Sequence, residues 1–171
     1  MDSGIETPEG WKSQSGLNID KIGPTFLNPN HQFRLKITSD YSRKKSQDVI
    51  GYLRGSEFPD EYVLVGNHRD SWVHGSVDAG AGTGTVLEIS RVFGEMEIRP
   101  KRSIIFCSWG SEEAGLMGSQ EFVEEFNSIL KERAIIYINA DISFGGNEYF
   151  TAGSSPVFHD LIWEVTKVGN I

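Results

Sequence analysis

Apolar and polar positions divide the chain into stretches of distinct period. Phe33, Leu35 and Ile37 alternate with polar neighbours, which predicts a half-buried strand from Gln32. The polar segment Ser39 to Gln47 follows as a hairpin connection, and Val49, Ile50, Tyr52 and Leu53 form a second strand, predicted antiparallel to the first because the link is too short for a helical crossover. Three continuous apolar runs come next: Tyr62 to Val65, Ser103 to Phe106 and Ala134 to Ile138. Runs of this kind suit strands of a parallel sheet covered on both faces. Val86, Ile89, Phe93 and Met96 fall at helical spacing between the first two runs, within Thr83 to Glu97. Phe122, Val123, Phe126, Ile129 and Leu130 do the same between the second and third, within Ser119 to Arg133. Strand, helix, strand, helix, strand reads as a βαβαβ unit. A last helical pattern, Val157, Leu161, Ile162 and Val165, closes the chain. Met1 to Asn30 is rich in Gly, Ser, Pro and Asn and carries no sustained period, so it is predicted to be an arm or loop. The division follows: 1–31 an N-terminal arm, 32–171 one α/β domain with a mixed, mostly parallel sheet.

Composition narrows the function. The 171 residues carry a formal net charge of -8, which argues against nucleic acid as a partner. The apolar runs fall well short of the ~20 residues of a membrane span, and residues 1–20 hold no apolar core of a signal peptide. The single Cys107 excludes an intramolecular disulfide and a thiolate zinc knuckle; mid-strand, it reads as a small buried apolar group.

The chemistry gathers where the strands end. Gly66-Asn67-His68-Arg69-Asp70 follows the first apolar run, Gly110-Ser111-Glu112-Glu113 the second and Asp141 the third. Open α/β sheets place their sites at the carboxyl ends of strands. Asp78 lies in the Gly-rich turn that opens the first helix. One imidazole converging with several carboxylates is an oxygen-rich ligand set suited to zinc, with manganese or cobalt behind it. Carboxylates so close would repel one another unless cations neutralised them. Neighbouring residues at a strand end point in opposing directions, so Glu112 and Glu113 can divide the roles of base and ligand. The Gly80-x-Gly82-x-Gly84 run lacks the spacing of a dinucleotide fingerprint and reads as close helix–strand packing. His31, His74 and His159 have no partner at ligand spacing and read as loop or surface residues.

Three segments carry a resemblance: Gly66-Asn67-His68-Arg69-Asp70-Ser71-Trp72, Ser108-Trp109-Gly110-Ser111-Glu112-Glu113-Ala114-Gly115-Leu116-Met117-Gly118-Ser119 and Tyr137-Ile138-Asn139-Ala140-Asp141. In these, from about Gln32 to Pro156, the chain resembles the glutamate carboxypeptidase II family with its ileal dipeptidase-like members, in the co-catalytic zinc aminopeptidase superfamily. The resemblance implies a three-layer α/β sandwich and a binuclear zinc exopeptidase or dipeptidase acting on peptides through a water between two zinc ions. It implies that His68 and Asp141 hold one zinc, that Asp78 bridges both and that Glu113 holds the second. It makes Glu112 the general base, and it places Asp70 behind His68 through a carboxylate–histidine hydrogen bond. Glu121 and Glu124 match two family acids that help hold a structural calcium. Full-length relatives are expected to be homodimers on the extracellular face of the plasma membrane. The family's last zinc-ligating His, its guanidinium cluster for acidic substrates and its dimerisation domain match nothing in this sequence, and His159 is not that ligand. The resemblance therefore implies a partial protease domain, incomplete at both ends and weak or inactive alone. The family's Pro after the bridging Asp is replaced by Ala79, and superfamily members can hold that peptide cis. The alternative is a non-catalytic, transferrin-receptor-like binding domain; that branch has lost the metal ligands kept here.

Overall fold

The computed structural model describes residues 5–8, 21–22, 34–144, 146 and 150–169. Its contacts divide the chain into two compact units, Met1–Arg43 and Lys44–Ile171. In the first, β1 (Ile5–Glu6) pairs antiparallel with β2 (Lys21–Ile22), inside the stretch predicted to be a featureless arm. Most of the rest of that arm, His31 included, lies outside the described residues, as do Gln32 and Phe33 of the first predicted strand.

The first predicted strand is absent over its described residues. Arg34 to Asp48 has no regular structure, and Leu35 and Ile37 are 85% and 74% exposed. Alternation alone does not make a strand where no surface covers its apolar side. The second predicted strand does form, as β3 (Val49–Leu53), and finds a different partner.

The second unit is built on a four-stranded sheet of β3, β4 (Phe58–His68), β5 (Arg102–Trp109) and β6 (Ala134–Asn139), in the order β3-β5-β4-β6. β4 is parallel to both β5 and β6, and β3 runs antiparallel to β5. The predicted mixed, mostly parallel sheet is therefore present, with β4 inside it and β6 at one edge. The chain steps from β4 to β5 and then back across β4 to β6. That reversal makes the carboxyl end of β4 the switch point of the sheet, where ligands of such folds settle.

Helices α1 (Gly80–Glu95), α2 (Met117–Glu125) and α3 (Asn127–Arg133) cover the sheet. Val65 and Ile104 pack with Val86 and Phe93 of α1. Leu64, Ile105, Cys107 and Trp109 pack with Phe122 of α2 and Leu130 of α3. Successive strand residues thus serve opposite cores, which is why these runs are apolar at every position. The single helix predicted over Ser119 to Arg133 is two, broken at Phe126 (φ -100°, ψ 16°). The break lets Phe122 and Leu130 reach the same face of the sheet, while Val123 and Ile129 stay 48% and 44% exposed. Trp109 anchors this side, its ring tilted against that of Phe122 with centroids 5.1 Å apart and its indole N–H donating to the Tyr137 hydroxyl at 2.8 Å. The closing pattern forms a 3-10 turn (Pro156–Phe158) running into α4 (His159–Gly169).

Gly82 fits the packing reading of the glycine run, whereas a Cβ at Gly84 would meet nothing within 4 Å. A Cβ at Gly82 would stand 1.8 Å from the Ala140 carbonyl oxygen and 2.2 Å from that of Asp141. Only a glycine lets the first turn of α1 lie against the segment that follows β6.

Candidate metal centre

Parallel pairing sets the strand ends level. His68 is opposite Trp109 and Gly66 opposite Asn139. The ladder continues past the strands, with Arg69 N–H donating to the Trp109 carbonyl at 3.0 Å and Ala140 N–H to the Gly66 carbonyl at 2.9 Å. Three separate stretches of sequence therefore deliver His68, Glu112 and Asp141 to one edge. Asp78 arrives from the loop between β4 and α1. That loop is closed by the Gly80 N–H donating to the carbonyl of Gly75 at 2.8 Å, and Gly75 sits in the left-handed region at φ 58°. The Asp78–Ala79 peptide is cis.

His68 is 3% exposed, and its Nε2 lies 3.0 Å from Asp78 Oδ1, 3.0 Å from Asp141 Oδ1 and 3.9 Å from Glu112 Oε2. Among the described residues, His68, Asp78 and Asp141 form a group whose ligand atoms all lie within 4.8 Å of one another. The other ring nitrogen, Nδ1, stands 2.9 Å from the Asp70 main-chain carbonyl. A carbonyl can only accept, so Nδ1 carries a proton and Nε2 is the nitrogen turned to the acids. Burial works against the charged ring. The carboxylates of Asp141 and Glu112 and the Asp70 carbonyl outweigh it and raise the His68 pKa above its ordinary value.

Asp70 meets the ring through its main chain. Its carboxylate lies 3.6 Å from Nδ1, beyond a hydrogen bond, and it is the carbonyl that holds the ring. The carboxylate instead accepts the N–H of Glu112 at 3.0 Å and that of Glu113 at 3.2 Å. Burial raises this carboxyl's pKa, but those two amides, with Asp70's own amide and the His68 ring, together outweigh burial and lower it.

Glu113 stands outside the three-residue group. Its Oε1 accepts the Trp72 N–H at 3.2 Å, while the Trp72 side chain is 74% exposed. Glu121 and Glu124 are exposed on α2 and belong to no metal-ligand group among the described residues. His74 and His159 are likewise exposed.

Reading the sequence did not single out several residues that build the edge. Asp48, at the entry to β3, accepts the Gly110 N–H at 2.8 Å. Arg69 donates to the Ser108 carbonyl at 2.6 Å and to the Gln47 carbonyl. Ser111, between Gly110 and Glu112, takes a left-handed φ of 58°, uncommon without glycine, and so bends the chain between the end of β5 and the carboxylate pair. Asn67, the polar residue before His68 that follows the apolar run Tyr62 to Val65 and Gly66, was the one with a visible signal.

A profile of peptidase family M28 matches residues 48–169. Aminopeptidase NAALADL1 of Rattus norvegicus is 44% identical over 175 residues, covering 96% of this chain and 23% of its own length. A glutamate carboxypeptidase 2 homolog of Caenorhabditis elegans is 40% identical over 170 residues, covering 96% of this chain and 22% of its own. Among solved structures, BSAP, a zinc aminopeptidase from Bacillus subtilis, superposes with a TM-score of 0.52 at 31% identity, over 57% of this chain and 24% of that one. The chain thus spans under a quarter of the length of these relatives.

Proposed function

We propose, from the premise that the chain belongs to peptidase family M28, that it is part of the catalytic domain of a zinc exopeptidase. The observation that carries this reading is His68 Nε2 set 3.0 Å from both Asp78 and Asp141 at the switch point of the sheet. One imidazole nitrogen and carboxylate oxygens, with no thiolate, are donors that zinc accepts. The ring is already oriented by its second nitrogen, as in zinc sites where a backbone oxygen sets the tautomer. His68, Asp78 and Asp141 would hold zinc, and Glu113, together with Asp78, would hold a second ion. Zinc there supplies an acidified water and a polarised peptide carbonyl.

The remaining work falls to the protein's own groups. Glu112 accepts a proton from the attacking water and delivers it to the leaving amine, so water's hydroxyl ends on the acyl product and its proton on the new amino terminus. Its placement supports that role: Oε2 is 3.9 Å from the His68 ring and its main chain is pinned by Asp70. The names of the relatives divide between aminopeptidase and glutamate carboxypeptidase, so the assay offers peptides blocked at either end. Glu112→Gln removes the base without removing a ligand. We expect activity to fall by ~10²–10⁴ while zinc content holds; unchanged turnover would reject the mechanism.

By the same resemblance, the whole protein is proposed to be a homodimer on the extracellular face of the plasma membrane, with Glu121 and Glu124 turned to a structural calcium. Among the described residues no helix is long and apolar enough to cross a membrane.

A further inference from the structure

Asn67 occupies a position where the fold would ordinarily place an apolar residue. It shares its side of β4 with Val63 and Val65, which pack in the core that Val86 and Phe93 of α1 complete, and it is 1% exposed. A side-chain amide in such a place is costly unless its hydrogen bonds are made. Its Nδ2 donates to Thr83 Oγ1 at 2.9 Å, faces the Ala79 carbonyl at 3.3 Å and reaches the carbonyl of His68. The Thr83 hydroxyl donates in turn to that His68 carbonyl at 3.3 Å.

These contacts join the parts of the chain that carry the metal-site residues. One is the end of β4 bearing His68. Another is Ala79, joined directly to Asp78. A third is the first turn of α1, where Gly82, beside Thr83, rests against the carbonyls of Ala140 and Asp141. Both His68 and Asp78 are therefore attached to main chain that Asn67 grips, and the helix turn it holds abuts the main chain of Asp141.

We propose that Asn67, acting with Thr83, is the positioning residue of the metal centre, setting His68 against Asp78 so that their ligand atoms converge before an ion arrives. The inference rests on the zinc reading above. Asn67 touches neither ion nor substrate; it acts through the main chain of the ligands.

The test measures zinc affinity of the whole protein by competition with a chromophoric chelator, alongside the thermal midpoint of the metal-free form. Wild type, Asn67→Ala, Thr83→Val and His68→Ala are compared. Loss of a group that orients ligands is expected to weaken zinc binding ~10–100-fold in Asn67→Ala. A smaller loss is expected in Thr83→Val, which keeps the side chain's shape and removes only the hydroxyl. If Asn67→Ala does not fold, Thr83→Val decides alone. A lower thermal midpoint with wild-type zinc affinity in both variants would mean a merely structural role and overturn the inference. The zinc reading fails separately, and takes the inference with it, if His68→Ala binds zinc as tightly as wild type.

Discussion

The Asp70 carboxylate accepts the main-chain amide of Glu112 at 3.0 Å, tying the loop after β4 to the loop after β5. The residue that orients the His68 ring through its carbonyl thereby also holds the proposed base. Its loss is expected to be felt in stability and in activity together. Asp70→Ala strands two amides and should cost about 1–3 kcal/mol by urea unfolding, with turnover reduced at least tenfold, on the order expected for a misplaced base. Wild-type activity in a folded Asp70→Ala protein would contradict this.

The same carboxyl sets a pH dependence. Its pKa in the folded protein is lowered from 3.8, so the stability it contributes is present above that value and is lost as pH falls through the lower folded one. Protonated Asp70 is close in shape to Asn. The free-energy gap between wild type and Asp70→Asn should therefore close on acidification, measured by urea titration from neutral pH to about pH 3. A gap that stays constant would show that the amides do not depend on the charge.

Metal removal should act through His68. In the zinc-free protein its pKa is raised above 6.5, because the acids around it favour the imidazolium. That contribution to stability is full below 6.5 and disappears as pH rises through the folded value. Chelated protein should accordingly melt lower than zinc-loaded protein and lose further stability as the pH rises above 6.5. With zinc at 100 times its Kd the loaded form gains ~2.7 kcal/mol. Identical melting curves with and without chelator would refute the site.

Cys107 is wholly buried between the sheet and its helices, and burial, with the Asp48 carboxylate adding to it, pushes its thiol up to about 12. A thiol so placed holds almost no thiolate at pH 8. Aromatic disulfide reagents should leave the folded protein untouched and label one thiol after unfolding in urea. Rapid labelling of the folded state would mean that this core opens readily.

The edge of the sheet gives a prediction for residues 1–171 expressed by themselves. On β6, Ile135, Tyr137 and Ile138 are each more than 40% exposed. Uncovered apolar edge strands pair with other chains. Size-exclusion chromatography should show concentration-dependent assembly, and peptidase assays little or no turnover. A soluble monomer with robust activity would contradict both expectations.

Much of the fold was legible because its signals are local. Continuous apolar runs marked β4, β5 and β6, and helical spacing marked α1 and α4. The strand predicted from Gln32 is absent over Arg34 to Ile37, because alternation says that a residue could have a buried side without saying that anything covers it. The helix predicted over Ser119 to Arg133 missed its break because both halves share one period, and only their common sheet face separates them.

By itself, the sequence determined which residues could do chemistry. An imidazole and four acids sit just past apolar runs, and residue type with position along a strand suffices to mark them. Tertiary structure alone decided their relations. It brought His68, Asp78 and Asp141 within ligand distance of one another, set Glu113 on the Trp72 amide, and turned the Asp70 carboxylate from the ring to the amides of Glu112 and Glu113. The reason is physical: these contacts join residues tens of positions apart, and their distances follow from strand register and loop closure, which no local pattern of residues encodes.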